Sequence, residues 1–230
     1  MRNLFTLFAV FFVFSCGGGG GGGNSEPVAP TPNITVTLSA SADSTEVNSS
    51  ITLTWSSTLA TSCSASGSWS GSKATSGSES ITIGVGGSNT FSLSCSASGA
   101  NSGNASITVN GLRYFDGKVF DGYIRGAEVF VDTNNNSSLD SDETSVTTDN
   151  QGNFTKLLYA DGSVISKGGI DLDTGADLSS LTLAHKMVGF EATKIISPIT
   201  SLAAYMEKPE DINAALGINA SIDLMSVDPI

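Results

Sequence analysis

Apolar residues alternate with Ser or Thr along much of the region 33–110. Five short runs show the alternation, at 34–38, 51–55, 80–83, 90–95 and 105–109. Successive side chains of a β-strand point to opposite sides, so a period of two places the apolar residues of each run on one buried face. Gly, Ser and Asn separate the runs at spacings typical of an all-β sandwich. We therefore predict a β-sandwich over this region.

The charge balance excludes several classes of protein. The 230 residues include 22 acidic and 10 basic side chains, which give a formal net charge of −12. A nucleic-acid binder needs clustered Lys and Arg to neutralise phosphates, and so acidic a chain does not offer them. Charged residues make up only 14% of the chain, which argues against coiled coils and long helices rich in Glu, Lys and Arg. The length suits one to two small domains.

The N-terminus has the features of a signal peptide. Arg2 precedes an apolar run at 4–14, which is too short to cross a bilayer as a helix but typical of the hydrophobic region of a signal peptide. A small residue directly before Cys16 resembles the lipobox of bacterial lipoproteins, although Phe14 stands where a small residue is usual. The resemblance implies a signal peptide over 1–15 and lipidation of Cys16, so that a membrane is the partner through a lipid anchor. The alternative is a plain secretory signal with an incidental Cys.

Residues 16–32 are predicted to be a tether. Seven consecutive glycines at 17–23 and a Pro-rich end cannot form a packed core, and a coil of this length spans roughly 20–25 Å. A flexible segment after a lipidated Cys suits an exported domain that is held at a membrane. No Asp follows Cys16, so the resemblance to Gram-negative lipoproteins implies sorting to the outer membrane, with the protein exposed at the cell surface.

Two cysteines remain once Cys16 is acylated, namely Cys63 and Cys95. An even pair in an exported domain is most simply a disulfide, which helps so small a domain to stay folded. The segment resembles a bacterial Ig-like module, and the resemblance rests on residues 53–57, 61–65, 69–71 and 93–95. The order Trp, Cys, Trp, Cys differs from the Cys, Trp, Cys order of antibody domains, so the strands that the bridge joins stay open.

The second half of the chain carries most of the acidic residues. Strand-like runs lie at 117–122, 127–131, 145–148 and 153–157. The sequence Gly-Ala-Glu-Val-Phe-Val-Asp, followed by a loop and then Thr-Asp-Asn-Gln-Gly-Asn-Phe, resembles the prealbumin-like sandwiches of bacterial surface proteins, such as adhesin B-repeats and carboxypeptidase regulatory-like domains. The resemblance implies a second β-sandwich over 111–165. The predicted fold class is therefore mainly β, with an Ig-like and then a prealbumin-like sandwich and short C-terminal helices.

Residues 166–230 are predicted to be an acidic loop and a helical segment. Ser197 and Pro198 provide a cap and a first residue for one helix. Its apolar positions fall on one face, at Ile199, Leu202, Ala203 and Met206. A second helix is predicted to open at 209–211 and to stop at Gly217. The segment that begins the first helix resembles one in very large bacterial surface proteins, and we expect the reading frame to be truncated at its C-terminus.

Residues 132–143 have the composition of a calcium loop. Calcium takes six to eight oxygen ligands, which one loop can supply from alternate positions. Candidate ligands stand at positions 1, 3, 5, 7, 9 and 12 of the loop, namely Asp132, Asn134, Asn136, the carbonyl of Ser138, Asp140 and Glu143. The pattern resembles the EF-hand loop, and the loops of dockerins and adhesin B-repeats, which implies a structural calcium ion. Ser137 departs from the usual Gly at position 6. The alternative is a solvated hairpin.

Little in the sequence supports catalysis. The single histidine, His185, lies among apolar residues, where a histidine is usually structural, and a zinc site needs more His or free Cys. We therefore expect a non-catalytic, surface-displayed, calcium-stabilised lipoprotein module that acts in adhesion or as a stalk, with an extracellular protein or glycan as its ligand. The alternative is the anchoring part of a larger exoenzyme whose catalytic domain lies beyond Ile230. Ligand identity and oligomeric state stay open.

Overall fold

The computed structural model describes residues 29–208, 211–219 and 221–222. The predicted signal peptide, Cys16 and the glycine run lie outside the described residues. Within them the chain is mainly β, with two small β-sandwiches and two short helices near the C-terminal end. The predicted fold class is therefore confirmed. None of the described helices is long and apolar enough to cross a membrane.

The first sandwich is built from two sheets. Its strands are β1 (Val36–Ala40), β2 (Ser44–Glu46), β3 (Ser50–Ser57), β4 (Ser62–Gly67), β5 (Gly71–Lys73), β6 (Ser76–Thr82), β7 (Gly87–Ser96) and β8 (Gly103–Leu112). One sheet has the order β1-β3-β6, and the other has the order β2-β8-β7-β4-β5. Neighbouring strands are antiparallel, except that β2 runs parallel to β8.

The apolar residues of the predicted alternating runs fill the space between these sheets. Leu53 and Trp55 of β3 are buried in one core with Phe91 of β7. The hydroxyl residues between the apolar ones lie on the solvent side, where they pair across strands, as Thr37 does with Ser56 at 2.7 Å between their hydroxyl oxygens. Each strand thus buries one apolar face and leaves a Ser/Thr face in water, as its period of two requires.

A disulfide joins Cys63 in β4 to Cys95 in β7. The two residues lie directly opposite each other in the antiparallel register, with their Cα atoms 4.1 Å apart. Opposite residues of an antiparallel pair come close enough for such a bridge. The bridge therefore links neighbouring strands of one sheet, whereas the antibody bridge links the two sheets.

The second sandwich has two larger sheets and a two-stranded one. Its strands are β9 (Tyr114–Val119), β10 (Ile124–Arg125), β11 (Glu128–Asp132), β12 (Ser145–Thr147), β13 (Asn153–Leu158), β14 (Ser163–Lys167), β15 (Ile170–Asp171), β16 (Thr182–Lys186) and β17 (Thr193–Ile196). The sheet orders are β12-β11-β14-β16 and β13-β9-β17, and β10 pairs separately with β15. Phe115, Val129 and Phe154 belong to the core between the two larger sheets.

The second sandwich extends well past the predicted boundary at 165. Strands β15, β16 and β17 lie in the segment that the sequence assigned to an acidic loop and helices. β16 forms an edge of one sheet and β17 an edge of the other. Leu183 of β16 packs into the core between the sheets, while the next residue, Ala184, packs with Phe130 and Ile165 in a second cluster. A strand buried on both faces lacks the alternation that marks a half-buried strand.

Two short helices follow the second sandwich. Helix α1 (Pro198–Ala204) has the predicted cap, because Ser197 and Thr200 exchange hydrogen bonds in a capping box. The hydroxyl of Thr200 also donates to the carbonyl of Ala184 in β16 at 2.8 Å, which ties the helix to the sheet. Leu202, predicted on the buried face, is half exposed. Helix α2 (Ile212–Ala215) ends before Gly217, which has the expected positive φ of 66°.

We predict that the disulfide stabilises only the first sandwich. Replacing both cysteines by Ala removes a cross-link between two residues that are 32 positions apart in the sequence. The substitution should lower the free energy of unfolding of this sandwich by about 3–4 kcal/mol. Both tryptophans, Trp55 and Trp69, lie in this core. Urea unfolding followed by tryptophan fluorescence therefore reports the first sandwich alone. An unchanged midpoint in the double variant would contradict the prediction.

Candidate functional site

The acidic loop begins at the end of a buried strand. Asp132 is the last residue of β11 and is 1% exposed. Its carboxylate oxygens accept hydrogen bonds from the backbone N–H groups of Asn136, at 3.2 Å, and Ser137, at 2.8 Å. A buried carboxylate is stable only with such partners. The buried Asp132 carboxylate therefore holds the backbone of the loop in place at the edge of the sandwich.

Asn134, Asn136 and Asp140 come together in this loop. One carboxylate oxygen of Asp140, Oδ2, accepts from the side-chain amide nitrogens of Asn134 at 2.7 Å and of Asn136 at 2.8 Å. The amide oxygens point the other way and accept from backbone N–H groups, that of Asn134 from Asn136 and that of Asn136 from Ser138. The structure thus gathers three of the predicted ligands, with amide nitrogens rather than amide oxygens facing the Asp140 carboxylate.

Glu143 closes the loop at its far end. Its carboxylate accepts from the backbone N–H of Thr133 at 2.8 Å and, through its other oxygen, from the backbone N–H of Asp140 at 3.2 Å. The hydroxyl of Thr133 adds a third bond at 3.0 Å. Both oxygens of the predicted bidentate ligand are therefore engaged with the loop itself.

Two loop residues adopt the left-handed backbone conformation. Asn135 has a φ of 61° and Ser137 a φ of 57°. Asn tolerates this region, but most side chains do so at a cost of about 1–2 kcal/mol. Ser137 stands where the resembled loops carry Gly, and its N–H bond to Asp132 holds it in place. The loop has the turn expected of position 6 despite the missing glycine.

The loop contains the residue types that bind a hard cation such as calcium, but their side chains are not arranged to coordinate one. Among the described residues, no group of three or more His, Cys, Asp or Glu side chains is placed to hold a metal ion. The loop offers carboxylates and amides, which are the oxygen ligands that calcium prefers. To use them, Asn134 and Asn136 would have to turn their amide oxygens toward Asp140.

Two further Asp-centred loops border the second sandwich, and their carboxylates, Asp149 and Asp171, are not among the ligands predicted from the sequence. Burial acts to raise the pKa of Asp149, but hydrogen bonds from the backbone N–H groups of Gln151 and Asn153 hold this pKa below its ordinary value. The pKa of Asp171 is also lowered, chiefly by the hydroxyl of Thr174 and then by the N–H of Asp173. Each carboxylate organises its own turn, so these are structural caps.

His185 lies in the interior of the second sandwich. It is 4% exposed, and its ring nitrogen Nδ1 lies 2.6 Å from the carbonyl oxygen of Ile195 in the facing sheet. A histidine in this position links the two sheets, and it has no access to a surface substrate.

The junction between the two sandwiches is formed by Arg113, the single residue between β8 and β9. Its carbonyl accepts from the N–H of Tyr159 at 2.8 Å. Its guanidinium carbon lies 5.1 Å from the centre of the Phe190 ring. On the side of the first sandwich, a Cβ atom added to Gly86 would come within 2.7 Å of the Arg113 Nε. Arg113 therefore contacts both sandwiches.

A cavity of about 340 Å³ opens beside Arg113. Glycines line it on the side of the first sandwich, at Gly86, Gly87 and Gly111. The second sandwich contributes Tyr159, Ala160 and Asp161. The Tyr159 hydroxyl donates to the carboxylate oxygen Oδ1 of Asp161 at 3.0 Å. This cavity could not be predicted from the sequence, because its lining residues come from three segments far apart in the chain.

The comparisons with known proteins give little beyond this geometry. No protein-family model matches the chain, and no curated protein sequence matches it. The crystal structure of BcpA, the major pilin subunit of Bacillus cereus, is similar over 72% of this chain and 69% of that chain, with 10% sequence identity and a TM-score of 0.26. A single-residue variant of the same pilin gives the same values. Similarity at this level carries no argument about function.

Proposed function

We propose that this protein is a non-catalytic, surface-displayed lipoprotein module that acts in adhesion or as a stalk. The observation that carries the proposal is the junction, where Arg113 alone connects β8 to β9. A long flexible linker lets two domains reorient, whereas one residue between two paired strands leaves few free dihedral angles. A chain built in this way holds its second sandwich at a set distance from its first, as a stalk or a displayed adhesin requires.

Contacts around Arg113 support a stiff connection. The guanidinium packs between Gly86 of the first sandwich and the Phe190 ring of the second, and a cation–π contact of this kind contributes about 0.5–1 kcal/mol. The Lys156 ammonium also lies 2.9 Å from a carboxylate oxygen of Glu46 across the junction. That ion pair is exposed and contributes little stability. The single-residue link therefore sets the geometry, and the side chains of the junction reinforce it.

The location of His185 supports the non-catalytic part of the proposal. General acid–base catalysis requires a titratable group within reach of a bound substrate. The only histidine of the chain is buried in the core of the second sandwich, with Nδ1 against a backbone carbonyl.

We predict a narrow distribution of distances between the two sandwiches. Spin labels at Ser64 of β4 and Ser145 of β12, both exposed, report this distance by pulsed electron spin resonance. Arg113→Ala removes the side-chain contacts to Gly86 and Phe190 and should broaden the distribution. The matched control Arg125→Ala, at an exposed site in β10, should leave it unchanged. A broad distribution in the unsubstituted chain would overturn the rigid-stalk proposal.

Anchoring through Cys16 is the membrane part of the proposal. The support is the apolar run, the Cys and the glycine-rich segment of the sequence, since acyl chains hold a protein on a membrane by about 0.8 kcal/mol for each buried CH₂ group. Cys16→Ala should release the protein from the outer membrane or leave it unprocessed. Cell fractionation and labelling of intact cells with an antibody measure this. A processed Cys16→Ala protein that stays in the outer membrane would rule out the lipid anchor.

A structural calcium ion in the loop 132–143 belongs to the same proposal. The support is the convergence of Asn134, Asn136 and Asp140 within hydrogen-bond distance of one another. Asp140 and Glu143 add carboxylate charge, and the strands on both sides would make the loop a rigid clip. With so few carboxylates, we expect weak binding, on the order of 10⁻⁵–10⁻³ M, as in extracellular modules.

Calcium should raise the melting temperature of the second sandwich only. At a hundredfold excess over the dissociation constant, the stabilisation is about 2.7 kcal/mol. Calorimetry in millimolar calcium and in chelator measures the shift, while tryptophan fluorescence follows the first sandwich as an internal control. Asp140→Asn with Glu143→Gln should abolish the shift, and the control Asp149→Asn, in a neighbouring loop, should keep it. If calcium leaves the melting temperature of the unsubstituted chain unchanged, or raises that of the double variant equally, the calcium assignment is wrong.

A further inference from the structure

We infer that the cavity beside Arg113 is a binding site for an uncharged sugar residue. The inference rests on the proposed role in adhesion and names the site and ligand class for it. The cavity of about 340 Å³ lies at the lower end of the range for small-ligand pockets, about 300–1,000 Å³. Both sandwiches line it, so a ligand there contacts both at once.

Glycines leave the wall of the first sandwich without side chains. A Cβ atom at Gly111 would lie 2.1 Å from the carbonyl oxygen of Val85, and one at Gly86 would meet Arg113. Close approach of the Val85 backbone therefore explains Gly111, and close approach of the Arg113 side chain explains Gly86. At Gly87, which has a φ of 79°, an added Cβ atom would meet nothing within 4 Å. This wall is thus bare backbone, which a ligand can approach closely.

Arg113 offers hydrogen-bond donors that the described part of the protein does not use. No described residue accepts a hydrogen bond from its guanidinium or forms an ion pair with it, and the group is held in place by packing against Phe190. A guanidinium presents its five N–H donors in a fixed plane. A ligand with adjacent oxygen atoms can therefore bind it in a bidentate manner.

Asp161 offers an acceptor on the other side of the cavity. Its Oδ1 atom accepts from the Tyr159 hydroxyl, and no described residue donates to its Oδ2 atom. Burial and the neighbouring Asp161 raise the pKa of Tyr159, so the phenol stays protonated and keeps donating to this carboxylate. The cavity thus holds fixed donors and a fixed acceptor, with the Tyr159 ring as an apolar surface.

Sugar hydroxyls match this combination because each of them both donates and accepts. An anionic ligand would suit Arg113 but would be repelled by Asp161 and by a chain of net charge −12. A cationic ligand would suit Asp161 but would meet the guanidinium. A neutral polyhydroxylated ring satisfies both groups, and its C–H face can pack on the Tyr159 ring.

The test is binding of named sugars to the full mature chain. Methyl glycosides of glucose, galactose, mannose and N-acetylglucosamine are titrated by ligand-observed NMR, with glucuronate and glutamate as two probes of net negative charge. We expect at least one neutral glycoside to bind and the two charged probes to bind more weakly. Asp161→Asn should weaken this binding by at least about tenfold, because the acceptor for sugar hydroxyls loses its charge. The matched control Asp173→Asn, at an exposed carboxylate outside the cavity, should leave it unchanged.

Three results would overturn the inference. They are no saturable binding of any of the four glycosides, tighter binding of glucuronate or glutamate than of every neutral glycoside, and equal affinity in Asp161→Asn and the unsubstituted chain. These results are separable from the proposed function. A narrow spin-label distance distribution together with a membrane-bound protein would keep the stalk proposal even if the cavity binds no sugar.

Discussion

Strand β8 of the first sandwich continues through Arg113 into β9 of the second, with no additional residue to act as a hinge. Both strands are central in their sheets, since β8 lies between β2 and β7, and β9 lies between β13 and β17. The backbone on either side of Arg113 is therefore fixed by ladder hydrogen bonds. Gly86, Tyr159 and Phe190 all contact Arg113 at this continuous connection.

Hydrogen bonds to Asp carboxylates stabilise the turns at the edges of the second sandwich, while apolar packing stabilises its core. Asp132, Asp149 and Asp171 each accept backbone N–H groups of the turn that follows them. A carboxylate that accepts N–H bonds satisfies donors that a tight turn would otherwise leave unpaired. The acidic character of this half of the chain is thus partly a structural requirement of its turns, and calcium binding is a further role proposed for one of them.

Part of this organisation could be predicted from sequence. The alternation in β3 and β7, the pair of cysteines and the cap at Ser197 are local signals, and the structure confirms each. The strands β16 and β17 gave no such signal, because short segments buried on both faces show no alternation. The predicted boundary between the two sandwiches lies at 110, just after the strand-like run at 105–109. In the structure Gly111 instead pairs with Gly87 inside the ladder, and the strand runs on.

In the alternating strands of the first sandwich, the sequence by itself determined which residues face water and which face the core, because a period of two along a short window sets the buried face. It also determined that the residues of the acidic loop occur at alternate positions. Only the tertiary structure decided that the disulfide lies within one sheet, since the pairing of β4 with β7 depends on the register of strands distant in the chain. Only it placed Arg113, Tyr159 and Asp161 around one cavity. Contacts between distant segments arise from the packing of whole sheets, which no local pattern of residues encodes.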